Sequence, residues 1–171
     1  MNKKIRWITE TAIMLALLVT LQAITKPLGQ LVTGSFVNAV LAVTVLVAGL
    51  YSGITVAIIS PALAYLLNIA PQVLTIPAIM IGNTVYVVLL YFLAGRRSKN
   101  ILRQLLAWLI AAAAKFATLY AMVHWVICGL FAQALPAPIL ASFSWPQLIT
   151  ALIGGGTALL IVPVLRKALH K

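Results

Sequence analysis

A lysine deep in an apolar helix can hold an anion, and this chain has one. Lys115 lies twelve residues beyond Arg103, inside the long apolar run Ile101–Leu130. At about 1.5 Å rise per residue it sits roughly 18 Å past that arginine. A lysine near the centre of a bilayer costs at least about 2.5–3.5 kcal/mol on insertion scales, so it must face protein, water or a ligand. The single acidic residue of the chain, Glu10, stands in a different segment. Amide or carbonyl oxygens, Asn83 among them, can receive the lysine's hydrogen bonds, and so can a bound anion. The structural alternative is a lysine held by backbone carbonyls or snorkelling to an interface.

Other polar residues fall at similar or more outward levels. Asn83 is mid-way along its apolar segment, Asn38 is near the start of another, and His124 and Trp125 lie towards the end of the Lys115 segment. Trp145 and Gln147 open the last segment, and Gln30 and Thr33 lie in a polar stretch after the first. Binding sites combine apolar walls with a few convergent polar groups, which is what this set would make. Each residue also has a structural reading. The tryptophans suit an interfacial aromatic belt, and the asparagines suit hydrogen bonding between helices.

Other chemistries find no support. A phosphate-cradling loop needs a Lys-Ser/Thr pair after its glycines, and Gly154-Gly155-Gly156 is followed by Thr-Ala-Leu-Leu in an apolar segment. Close helix packing explains that run better. The histidines, His124 and His170, are far apart, and no carboxylate pair exists. No metal site or cofactor site is expected, and catalysis is not. Cys128 is the only cysteine, so no intrachain disulfide can form.

The elements that position these residues are membrane spans. The chain is 64% hydrophobic and 8% charged, too little charged surface for a soluble domain of 171 residues. The net charge of +11 would suggest nucleic acid if it formed one patch. Instead, ten of the twelve basic residues stand in three clusters that border apolar runs: Lys3, Lys4 and Arg6; Arg96, Arg97, Lys99 and Arg103; Arg166, Lys167 and Lys171. Basic residues beside spans stay on the cytoplasmic side, so an even number of spans separates each cluster from the next. Anionic headgroups, not nucleic acid, are their partners.

Six spans satisfy this: about Trp7–Ile24, Phe36–Leu50, Ile54–Asn68, Val73–Ala94, Ile101–Leu130 and Trp145–Leu165. The expected fold is an all-α integral membrane protein, a single transmembrane domain over 1–171 with both termini cytoplasmic. Tyr51-Ser52-Gly53 is read as a tight turn, and Thr25–Ser35, Ile69–Gln72 and Gln133–Ser144 as outer loops. The first apolar run is long and lacks a small-x-small cleavage site, so it reads as a retained span. No inverted repeat of the kind that marks many secondary transporters is evident.

The first span carries a stripe of small residues, Ala12, Ala16 and Thr20, with Thr9 and Ala23 close to the same face. Such stripes let another helix approach closely, within the bundle or from a partner.

Thr11-Ala12-Ile13-Met14-Leu15-Ala16 is similar to the Ala-x-x-x-Ala signature in the first helix of substrate-binding S components of energy-coupling factor (ECF) vitamin transporters. Thr33-Gly34-Ser35-Phe36-Val37-Asn38, Ser60-Pro61-Ala62-Leu63-Ala64 and Ile81-Gly82-Asn83-Thr84 also resemble members of that family. The resemblance covers nearly the whole chain. It implies that Ala12 and Ala16 dock on a transmembrane coupling subunit, which itself binds two ATPases. It also implies that the first outer loop closes over a vitamin held between that loop and the outer halves of spans four to six, and Asn83, Lys115, His124 and Trp125 sit on spans that match that site. The bundle would topple in a bacterial cell membrane on docking, with ATP bound by the partners alone. The members most resembled take pantothenate, or hydroxymethylpyrimidine and pyridoxine. Lys115 favours a carboxylate, and the shortage of aromatics opposes a flat flavin-like ligand. Two other functions fit the residues. One is a proton-coupled secondary transporter using Lys115 or His124. The other is a helix-packing assembly subunit that binds no small molecule.

Overall fold

A computed structural model describes residues 2–69, 72–95, 100–132 and 134–169. Arg96, Arg97, Lys99, His170 and Lys171 of the sequence reading lie outside the described residues, as do Pro71 and Gln133. The described chain is helical: α1 (Lys3–Thr25), α2 (Gln30–Val47), α3 (Leu50–Leu66), α4 (Ile76–Leu89), α5 (Ile101–Tyr120), a short α6 (Ala137–Ser142) and α7 (Trp145–Ala168). A 3-10 turn, Val73–Thr75, leads into α4, and π-type turns extend α4 over Leu90–Ala94 and α5 over Ala121–Leu130. Among the described residues, five helical stretches are long and apolar enough to cross a bilayer: Lys4–Leu28, Gln30–Val47, Val73–Ala94, Ile101–Leu130 and Ala137–Ala168. The third and fourth of these coincide with the expected spans. The apolar helix Leu50–Leu66 is shorter, at 17 residues.

The turn expected at Tyr51-Ser52-Gly53 is instead the first turn of α3. The chain reverses at Gly49, whose φ of 107° is costly for any residue with a Cβ. Gly53 is there for packing, since a Cβ on it would lie 2.9 Å from Val45 Cβ. Ser52 is buried and accepts a hydrogen bond from the Thr11 hydroxyl at 2.9 Å.

The outer loop expected at Thr25–Ser35 is also corrected. Only a 3-10 turn, Lys26–Leu28, and Gly29 at φ 88° separate α1 from α2, so Gln30, Thr33, Gly34 and Ser35 are helical. In water Ser and Thr disfavour helix by offering the backbone other partners, and Gly does so by its backbone freedom. In an apolar solvent an unbonded backbone group costs several kcal/mol, and the helix runs through them. The connection 133–144, expected as a loop, contains α6.

The core is built around α2, whose inner half, Val40–Val47, is buried on every side. It lies close against α7 because Gly154 has no side chain. A Cβ there would stand 2.4 Å from the Ser35 carbonyl oxygen and 2.6 Å from the Ala39 nitrogen. Those are backbone atoms and cannot swing aside. Gly154→Val is expected to separate α2 from α7 and destabilise the fold by at least about 1–3 kcal/mol. The melting temperature in detergent should fall by roughly 2–10 °C. Gly129→Ala is the control: its Cβ meets only the His124 carbonyl, at 3.7 Å, and should leave the temperature unchanged or raised.

Candidate binding site

A cavity of about 180 Å³ lies where all seven described helices meet, Ser142 at the end of α6 included. Its walls come from the end of α1 (Gln22, Lys26), the start of α2 (Gln30, Thr33, Gly34, Asn38), the end of α3 (Ser60, Ala64), the first half of α4 (Ile79, Asn83), the second half of α5 (Lys115, Leu119) and the start of α7 (Gln147). These ends lie opposite Lys4 and Arg6 at the start of α1, Arg103 in the first turn of α5, and Arg166 and Lys167 in the last turn of α7. The basic end is tied together by its own side chains. The Arg166 guanidinium donates to the Leu46 carbonyl at 2.8 Å, and Arg103 Nε donates to the Leu93 carbonyl at 2.7 Å.

Lys115 forms the inner part of the site. It is 2% exposed, and its Nζ donates to Asn38 Oδ1 at 2.5 Å and to Asn83 Oδ1 at 2.6 Å. The Tyr86 ring centroid lies 5.4 Å from Nζ, near enough for its π face to attract the cation. No carboxylate balances the charge: Glu10, the chain's one acidic residue, pairs with Arg6 at 2.9 Å. A buried charge held only by neutral oxygens keeps much of its desolvation cost, so an anion entering the cavity would be stabilised.

Asn38 is held from behind. Its Nδ2 donates to the Gly34 carbonyl at 2.9 Å and to Thr150 Oγ1 at 3.2 Å. Thr150 donates to the Gln147 carbonyl at 3.1 Å, and Gln147 Nε2 to the Ser142 carbonyl at 2.9 Å. Gly34 makes this possible, since a Cβ on it would lie 2.9 Å from Thr150 Cγ2. At the outer end of the cavity Lys26 Nζ donates to the Asn68 carbonyl, which links the ends of α1 and α3. Three cavity-lining polar atoms are buried without a partner among the described residues: Asn83 Nδ2, Gln22 Oε1 and Thr33 Oγ1. Buried polar groups are nearly always bonded, so each orphan marks a place for a ligand or water.

The structure thus brings Lys115, Asn83, Asn38, Gln30 and Thr33 to one cavity. His124 and Trp125 do not line it. His124 stacks on Tyr120, with centroids 4.3 Å apart, and Trp125 is 69% exposed. The buried face of this helix runs through Lys115, Leu119, Val123 and Ile127, and His124, one residue past Val123, lies off it. Trp145, also exposed, stacks on Phe116 at 5.5 Å. Sequence reasoning passed over Gln22, Ser60 and Thr150. The signal for Gln22 was a lone amide inside an apolar helix, where burial demands a partner. Among the described residues no group of His, Cys, Asp and Glu could hold a metal ion.

Ala12, Ala16 and Thr20, with Thr9 and Ala23, form an exposed face of α1. The opposite face carries the buried Thr11 and Leu18.

The model of one protein family, described as "ECF transporter, substrate-specific component", matches residues 6–166. No curated protein and no solved structure matches the chain.

Proposed function

This chain belongs to the ECF transporter substrate-specific component family, and we propose that its Lys115 cavity captures a small water-soluble vitamin from outside the cell. It is an all-α, multi-pass membrane protein and a transporter subunit. The observation that carries the proposal is Lys115 itself: a buried cation with no carboxylate partner, beside the unpartnered Asn83 Nδ2, in a cavity.

The topology supports capture from outside. We take the Leu50–Leu66 helix as a sixth span, giving six with both termini cytoplasmic. Its 17 residues reach about 26 Å, a shortfall that bilayer thinning or packing can absorb. The basic clusters then face the cytoplasm and the cavity opens outward. Lys115, Asn83, Asn38, Gln30 and Thr33 hold the substrate, joined by Gln22 and Gln147. His124 and Trp125 face elsewhere and are left out.

Among vitamins, the site favours pantothenate over hydroxymethylpyrimidine or pyridoxine, because Lys115 suits a carboxylate. With Phe143 as its one aromatic wall residue, the cavity lacks the ring surfaces on which a flat flavin would stack. Energy would come from partners, a transmembrane coupling subunit and two ATPases that alone bind ATP, in a bacterial cell membrane. The exposed Ala12–Ala16 face of α1 is where the coupling subunit docks.

The test is a thermal-shift screen of the detergent-purified chain against water-soluble vitamins, followed by uptake into ATP-loaded vesicles holding the chain and its module. One vitamin should raise the melting temperature and be transported only with ATP. No shift across the panel, or uptake driven by a proton gradient without the module, would refute the proposal.

A further inference from the structure

Resting on that reading, we infer that the ligand is a small monocarboxylate bound with its anionic end inward and a hydroxyl or N–H group directed to the mouth. The cavity's buried, unused hydrogen-bonding capacity is sorted by depth, while Lys26 and Gln30 at the mouth are exposed and solvated. At the inner level it consists of donors. An ammonium has three N–H groups, and Asn38 and Asn83 take two of those on Lys115. Asn83 contributes the other free donor. Its amide orientation is fixed, because Oδ1 accepts from Lys115 and turning it over would set N–H against N–H. Nδ2 therefore remains buried and unpartnered, in a residue 1% exposed. Two donors side by side, one of them cationic, match the two oxygens of a carboxylate.

Nearer the mouth the buried unused atoms are oxygens: Gln22 Oε1, which only accepts, and the Thr33 hydroxyl, which can accept or donate. Thr33 precedes Asn38 by five residues on α2, a rise of about 7–8 Å. The ligand therefore needs an anionic group and a hydrogen-bond donor at roughly that separation. A cation would meet Lys115 head on, and a neutral ring would leave Asn83 Nδ2 and the ammonium without a full acceptor.

The test is calorimetric titration of the purified full chain with pantothenate and with its alcohol analogue, in which CH2OH replaces the carboxylate. Hydrogen bonds to charged groups predict the acid binding about 10- to 150-fold more tightly than the alcohol. In Lys115→Met the gap should close to under about 3-fold, the size left once the charged bond is gone. Gln22→Leu should weaken acid and alcohol alike, since it acts at the other end. Another carboxylate vitamin binding more tightly than its own amide would equally support the inference. Equal affinity for acid and neutral analogue in the unaltered chain overturns it, whatever the variants do. So does a gap that survives in Lys115→Met. Binding of only hydroxymethylpyrimidine or pyridoxine overturns this inference and leaves vitamin capture standing. No binding of any vitamin overturns both.

Discussion

Lys115→Met is expected to weaken vitamin binding severely while leaving the ligand-free fold nearly as stable as before. Two effects of similar size oppose each other in the empty protein. The substitution removes hydrogen bonds from a charged donor to Asn38 and Asn83, each worth about 1.5–3 kcal/mol. It also removes a charge that costs about 2.5–3.5 kcal/mol or more at such a depth. The groups left behind are two neutral amide oxygens and not an unpaired ion, so the large penalty of breaking a buried ion pair does not arise. The ligand has no such compensation. Truncating one partner of a buried, hydrogen-bonded charge pair costs about 2–5 kcal/mol, or roughly 30- to several-thousand-fold in Kd. Melting curves with and without ligand check both halves. A lysine with a purely structural role would give the reverse: a large drop in the ligand-free melting temperature and an unchanged ligand-induced shift.

Ala12→Leu combined with Ala16→Leu is expected to remove uptake and leave substrate binding intact. Both alanines are exposed on α1, so leucines there meet nothing within the chain. Their cost would fall on a partner helix that approaches through small residues. Overpacking at each position costs about 1–3 kcal/mol, so the pair should weaken docking by at least ~30-fold. Co-purification with the coupling module and ATP-driven vitamin uptake should both fail, with vitamin Kd within about twofold of the unaltered chain. Uptake that persists would move the docking face elsewhere on the bundle.

These two experiments probe opposite parts of the molecule, and the parts differ in how they could be read. The α1 stripe was legible because it depends on one helix. Residues at i and i+4 share a face whatever surrounds them, and the structure leaves that face open. The binding site depends on several helices, and only part of it was legible. Asn83 as a partner for Lys115 followed from depth and chemistry. Asn38 as the second partner did not, because it requires α2 to lie against α7 at the closeness Gly34 and Gly154 allow.

The sequence by itself determined the class of the protein, its long spans, the basic end and the depth of Lys115. All of these follow from composition and from the fixed rise of a helix, which adds up residue by residue. The tertiary structure decided which polar residues share a cavity. Depth placed His124 and Trp125 with the site, but rotation about the helix axis turned them away. It also decided where the helices begin. Gly29 and Gly49 turn the chain, whereas Gly34, Gly53 and Gly154 pack helices together. A glycine's role depends on what lies across from it, and that is fixed only when the bundle closes.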